Sequence, residues 1–159
     1  MKILVFSDSH GDVSNMVDVT ERVQPDRVFH LGDHIRDAEE LSYAFPELTV
    51  DSVPGNCDWR SRAPLTKKLT LEGVCILLCH GHEFGVKTSY GALAQYARSE
   101  GAKVALCGHT HHSYLGKKMG VGLCNPGSCG MGIVPTYGIL TLEGGTWDFR
   151  VYPVYEEEA

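Results

Sequence analysis

Lys2-Ile3-Leu4-Val5-Phe6-Ser7-Asp8-Ser9-His10-Gly11-Asp12 is an apolar run that breaks abruptly into carboxylates, hydroxyls and an imidazole. A short apolar run without polar alternation marks a strand buried on both faces. The next stretch, about Ser14 to Val23, places Met16, Val17, Val19 and Val23 at loosely helical spacing, and Pro25-Asp26 ends it. The same unit then recurs. Arg27-Val28-Phe29-His30-Leu31 is a second short strand closing on Gly32-Asp33. Residues 36–45 carry Ala38, Leu41, Ala44 and Phe45 on one stripe and stop at Pro46. Residues 48–53 form a third strand that closes on Pro54-Gly55-Asn56-Cys57-Asp58. Strand, helix, strand, helix, strand predicts parallel pairing with right-handed crossovers. In such sheets ligand groups belong just beyond the carboxyl ends of the strands, where the polar residues fall here.

The second half reads differently. Lys67 to Leu71 and Val74 to Cys79, turning on Glu72-Gly73, predict a hairpin whose second arm ends in His80-Gly81-His82. A helix is expected over about Ser89–Glu100, with Leu93, Tyr96 and Ala97 inward and Gly101 as its stop. Lys103 to Cys107 is a further strand, delivering Gly108-His109-Thr110-His111. Histidines two apart cannot share a helix face, but on extended chain they point the same way. Beyond His112 short strands alternate with Gly-rich turns, including Glu143-Gly144-Gly145-Thr146. The predicted fold class is therefore α/β, with two mixed β-sheets packed as a sandwich flanked by α-helices. One domain over 1–159 is expected, ending in a mobile acidic tail at 156–159.

Composition narrows the function. The net charge is −6 with no Lys/Arg cluster, which argues against nucleic acid as a partner. No apolar stretch approaches membrane-spanning length, and the first apolar run stops at Ser7-Asp8, too short for a signal-peptide core. Cys75, Cys79 and Cys107 lie in apolar runs and read as buried free thiols, while Cys124 and Cys129 form no CxxC pair. A reduced, cytoplasmic protein is expected.

The polar residues at strand ends are Asp8, His10, Asp33, Asn56, His80, His109 and His111. His10 to Asp33 and Asp33 to Asn56 are 23 residues each, and Asn56 to His80 is 24. One strand-helix-strand step each would bring all of them to one rim. Oxygen and imidazole donors without thiolates suit an open manganese, iron, zinc, cobalt or nickel site better than a closed structural zinc.

Together Asp8-x-His10, Gly32-Asp33, Gly55-Asn56, His80 and Gly108-His109-x-His111 resemble the motif series of the calcineurin-like metallophosphoesterase superfamily, from residue 3 to about 128. The chain length and the Gly-Asn-Cys-Asp variant resemble its small single-domain phosphodiesterase branch. The resemblance implies a four-layer αββα fold and two divalent metal ions, manganese first, with nickel, cobalt, iron or zinc as alternatives. It implies that Asp8, His10 and His111 bind one metal, Asn56, His80 and His109 the other, and that Asp33 bridges them. Two dications against two carboxylates would leave the cluster near roughly +2, which attracts a phosphate even on an acidic protein. The implied activity is hydrolysis of a small phosphodiester by attack of a metal-bound hydroxide.

Cys57 departs from the pattern, because many relatives carry His there to protonate the leaving group. A neutral thiol is a weak acid and supplies no imidazolium charge. Asp58 would be the orienting carboxylate of that lost pair, and His82 a recruited acid. The alternative is a catalytically weak scaffold of the retromer type on the same fold; a complete set of ligand-competent residues favours the enzyme. A homo-oligomer, dimer or tetramer, would cover exposed strand edges. No substrate-binding residue is fixed, although Arg36, Arg60 and Arg62 are candidates to meet phosphate. His30 reads as a buried strand histidine, His34 as a neighbour of the metal ligands, and Asn125-Pro126-Gly127-Ser128 as a turn beneath the rim. Trp59, Tyr90 and Tyr96 read as core or rim aromatics.

Overall fold

The computed structural model describes residues 1–155, so the acidic tail at 156–159 lies outside the described residues. The first apolar run becomes β1 (Lys2–Phe6). Its side chains divide by parity: Ile3 and Val5 enter one core, Leu4 and Phe6 another. A strand buried on both faces needs no polar alternation, which is why this run has none. α1 (Val13–Val23) follows, its first turn capped by Asp12, whose Oδ1 accepts from Asn15 N–H at 3.2 Å. β2 (Arg27–His30), α2 (Ile35–Ala44) and β3 (Thr49–Ser52) complete the repeat, and β1, β2 and β3 pair in parallel.

β4 (Thr66–Leu71) and β5 (Val74–Cys79) form the expected hairpin. A 3₁₀ turn (His82–Phe84), α3 (Gly91–Ser99) and β6 (Val104–Leu106) come next. β7 (Ser113–Lys118), β8 (Val121–Pro126), β9 (Thr136–Glu143) and β10 (Thr146–Pro153) close the described chain. One sheet has the order β10-β9-β1-β2-β3 and the other β4-β5-β6-β8-β7. Both are mixed: β9 runs antiparallel to β1, and β8 pairs parallel to β6 but antiparallel to β7.

The inner faces meet through Ile3, Val5 and Phe29 from one sheet and Ile76, Leu78 and Leu106 from the other, all fully buried. Outside the first sheet Met16 and Val19 of α1 and Leu41 of α2 cover Leu4, Phe6 and Val28. Outside the second, Leu93, Ala94 and Ala97 of α3 cover Leu77, Cys79 and Ala105. The result is the four-layer sandwich expected from the sequence. Cys79 and Cys107 are buried thiols as anticipated, whereas Cys75 is only half-buried because it packs at the margin of the α3 layer. Among the described residues no helix is long and apolar enough to cross a membrane.

Candidate metal centre

Strands β1, β2 and β3 of one sheet and β5 and β6 of the other release their carboxyl ends toward one rim. Backbone hydrogen bonds lock the exits together: Asp8 N–H donates to Gly32 O at 2.9 Å, and Gly108 N–H to His80 O at 2.9 Å. Two of these junctions demand glycine. A Cβ on Gly55 would stand 2.2 Å from Asp33 Oδ1, and one on Gly108 would stand 1.8 Å from Ser7 Oγ and 2.6 Å from Asp8 Oδ2. The Gly in Gly-Asn and in Gly-His is therefore the space through which one loop reaches the next.

Asp8 and Asp33 are both buried, and each has one oxygen fixed and the other left for the cluster. Asp8 Oδ2 accepts from Ser7 Oγ at 2.6 Å and from His109 N–H at 3.0 Å. Asp33 Oδ1 accepts from Cys57 N–H at 2.9 Å. The free oxygens face imidazoles. Asp8 Oδ1 lies 3.2 Å from His111 Nε2, 3.7 Å from His80 Nε2 and 3.9 Å from His10 Nε2. Asp33 Oδ2 lies 3.4 Å from His80 Nε2 and 3.7 Å from His10 Nε2. His80 is fully buried, and its Nδ1–H donates to Leu31 O at 2.8 Å, which leaves the Nε2 lone pair aimed at the carboxylates.

Electrostatics and strain point the same way. Burial would push the Asp33 carboxyl up, but the His80 imidazole and the Cys57 N–H hold it well below the usual range. Burial likewise opposes the charged form of His80, and Asp33 and Asp8 outweigh it and raise its pKa. His109 is lowered, first by burial and then by His80. Asp8, His10, Asp33, His109 and His111 all adopt positive φ, between 47° and 70°. Each such non-glycine residue costs about 1–2 kcal/mol, and clusters of them occur at functional sites.

A divalent cation fits this arrangement. One ligand atom each from Asp8, His10, Asp33 and His111 lies within 4.8 Å of the others. Donors around one ion at about 2.1 Å stand roughly 3–4 Å apart, the separation of His111 and His10 from Asp8 Oδ1 and of His10 from Asp33 Oδ2. Asp8 Oδ1, His10 Nε2, His80 Nε2 and His82 Nδ1 are buried with no hydrogen-bond partner among the described residues. Each would cost about 1–3 kcal/mol unsatisfied. A second group of rings adjoins the first: the His80 and His109 centroids are 5.0 Å apart, and His82 is 5.5 Å from His80. Asn56 stands exposed between Gly55 and Cys57, its Nδ2 donating to Cys57 Sγ at 3.8 Å.

The remaining sequence candidates occupy distinct places. Cys57 is exposed, and burial of its sulfur followed by the nearby Asp33 pushes its thiol up, so it stays protonated at neutral pH. Asp58 accepts from three backbone N–H groups: His34 and Ile35, each at 3.0 Å, and Gly55 at 2.9 Å. Beneath the rim, Ser128 Oγ donates to Asp8 O at 2.7 Å and Asn125 Nδ2 to Gly108 O at 3.0 Å. Sequence reasoning missed the line His30–Ser9–Asp37. Gly32 N–H donates to His30 Nδ1, so Nε2–H donates to Ser9 Oγ at 2.9 Å, and Ser9 Oγ donates to Asp37 Oδ2 at 2.7 Å. Asp37 Oδ2 also accepts from Gly11 N–H at 2.7 Å, fixing the loop that carries Asp8 and His10. A serine between two ligands was its only trace in the sequence.

A two-sheet sandwich with this carboxylate–histidine rim defines a metal-dependent phosphoesterase class. Residues 1–145 match the family of the calcineurin-like phosphoesterase superfamily domain, and the chain belongs to that family. It is 32% identical over 158 residues to the "Probable metallophosphoesterase YsnB" of Bacillus subtilis, covering 96% of this chain and 90% of that one. The crystal structure of a predicted phosphoesterase from Streptococcus pneumoniae superposes with a TM-score of 0.77 at 28% identity, covering 96% and 89% of the two chains. The chain is also 29% identical over 131 residues to vacuolar protein sorting-associated protein 29 of Schizosaccharomyces pombe, covering 76% of this chain and 69% of that one.

Proposed function

We propose that this metallophosphoesterase hydrolyses small phosphodiesters at a pair of divalent metals, manganese first among them. The observation that carries this reading is that His80 Nε2 and His10 Nε2 lie 3.7 and 3.9 Å from Asp8 Oδ1, all three atoms buried and without a hydrogen-bond partner among the described residues. Asp8, His10 and His111 would hold one metal, Asn56, His80 and His109 the other, with Asp33 shared. Metals held there supply positive charge for an anionic phosphate and a water acidic enough to lose its proton near neutral pH.

The chain's own groups do the rest. The Leu31 carbonyl fixes the His80 ring, and the Cys57 N–H fixes the Asp33 carboxylate. Asp58 ties the Asn56 loop to the start of α2 through His34, Ile35 and Gly55. At the leaving-group side Cys57 offers a neutral thiol, so diesters with good leaving groups are favoured, and His82, beside His80 and His109, is the candidate proton donor in its place. The likeness to a vacuolar sorting protein supports a second reading, a scaffold on the same fold.

The deciding assay is hydrolysis of p-nitrophenyl diesters and monoesters by metal-stripped protein, with manganese, nickel, cobalt, zinc and magnesium restored singly. Metal-restored diesterase activity that disappears in Asp33→Asn and His80→Ala supports the enzyme. Two metals bound with no turnover overturns it in favour of the scaffold.

A further inference from the structure

The histidine–carboxylate rim accounts for the phosphorus of a diester but not for the groups its alcohols carry. Next to the rim, where the chain leaves β3, it walls a concavity of about 650 Å³. That volume lies within the roughly 300–1,000 Å³ of small-molecule pockets. Cys57 and Asp58 line it together with Trp59, Arg60 and Arg36. Cys57 makes rim and concavity continuous: its N–H donates to Asp33 Oδ1 while the residue lines the hollow.

Trp59 is 77% exposed on this wall. It is not loose, because the Arg60 guanidinium stands 4.8 Å from the ring centroid, a cation–π distance that steadies the indole. With Arg60 over the ring, the indole still leaves most of its flat apolar surface in water. Arg36 and Arg60 line the wall with Glu39 and Asp58, two charges of each sign, and the Asp58 carboxylate is engaged by backbone N–H groups. The wall therefore balances its own charges, and what it offers a ligand is the face of a ring.

We propose that this concavity takes a flat aromatic ring, nucleobase or aryl, carried by one alcohol of the diester and stacked on Trp59 while the phosphate sits at the rim. This rests on the hydrolytic reading above and names its substrate class. Ring stacking on an exposed aromatic changes affinity by about 5- to 150-fold, so the contact is measurable.

The test is calorimetric titration of the zinc-loaded protein with AMP, phenyl phosphate and ribose 5-phosphate, which share a phosphate and differ in the ring. AMP or phenyl phosphate should bind about fivefold or more tightly than ribose 5-phosphate. That advantage should vanish in Trp59→Ala and survive in Trp59→Phe, with ribose 5-phosphate binding all three proteins alike. Preference for AMP identifies a nucleobase, and preference for phenyl phosphate an aryl group. No ring advantage in the parent protein, or an advantage undiminished in Trp59→Ala, overturns the proposal. The hydrolytic reading is judged separately with bis(p-nitrophenyl) phosphate. Ring-dependent binding without turnover sinks that reading and leaves the Trp59 shelf standing; turnover with ring-blind binding does the reverse.

Discussion

At position 57 a thiol stands where an imidazole would deliver both charge and a proton. Cys57 is exposed and beside Asp33, so Cys57→His is sterically open. The expected outcome is a gain of about 10²–10⁴-fold in kcat on alkyl diesters, whose leaving groups need protonation, and little change on p-nitrophenyl esters. Steady-state rates on the two substrate types check it. His30 makes a different prediction, about stability. Burial lowers its pKa from 6.5 to about 4, against the raising effect of Asp37, Asp58 and Asp8 and with a small lowering from His80. As pH falls from 6.5 the unfolded chain takes up a proton that the folded chain refuses until about 4. The stabilisation is thus complete above the unfolded value and shrinks through that window, by about 3 kcal/mol. Urea midpoints of metal-free protein at pH 7.5 and 4.5 should show this slope, and His30→Gln should flatten it; an unchanged slope would assign the loss to other groups. That His30 is buried was legible, since it stands inside a strand. Its partners Ser9 and Asp37 were not, because one buried network drawn from three segments leaves no periodic mark.

Elements explain why the ligand rim was readable at all. The two steps of 23 residues each contain one helix and one strand, so a carboxyl-end residue recurs wherever the chain returns to the first sheet. The 24-residue step from Asn56 to His80 instead holds the β4–β5 hairpin, a correction to the strand-helix-strand expectation, and reaches the rim from the second sheet. The local backbone was not readable: positive φ at Asp8, His10, Asp33, His109 and His111 runs against residue preference and is imposed by the surrounding loops. Nor was the capping of α2. Its N-terminal residue His34 makes no side-chain cap, and the acceptor for the His34 and Ile35 N–H groups comes from Asp58, beyond the next strand. That carboxylate also holds Gly55 N–H, and so the loop whose Cys57 N–H fixes Asp33. Asp58→Ala should therefore cost about 1–3 kcal/mol in chemical denaturation. It should also weaken metal binding about 10–100-fold, as loss of a group supporting a metal ligand does. Asp58→Asn, which keeps an acceptor, should recover part of both. Unchanged metal affinity in Asp58→Ala would separate the cap from the site.

For the whole molecule, the pairing of distant segments is what sequence patterns leave open. β9 returns to pair with β1 from the far end of the described chain, and β8 inserts between β6 and β7, neither of which any local signal announces. The same holds for what joins the two sheets at their free edges. Asp51 of β3, the edge strand of one sheet, is buried and read from sequence only as a strand residue. It accepts from Arg27 Nε at 2.5 Å and Nη2 at 3.2 Å, and from Lys67 Nζ on β4, the edge of the other sheet, at 3.0 Å. Burial would raise its carboxyl, but Arg27 and Lys67 outweigh burial and hold it below the usual range. Removing one partner of a buried pair costs about 3–5 kcal/mol, and here the half-open Lys67 lets water screen part of it. Asp51→Ala should then lose about 2–3 kcal/mol at pH 7, while Asp51→Leu with Arg27→Met should recover much of it by replacing the charges with packing. Because the folded pKa is depressed, the stabilisation is present above the unfolded value of 3.8 and is lost as pH falls through the folded one. This window lies below the one set by His30, so denaturation profiles of the single variants separate the two. Asp51→Ala should run parallel to the parent protein from pH 7 to about 4.5 and converge with it only in stronger acid. Convergence already near pH 6 would show that the clasp between the sheets depends on a histidine rather than on this carboxylate.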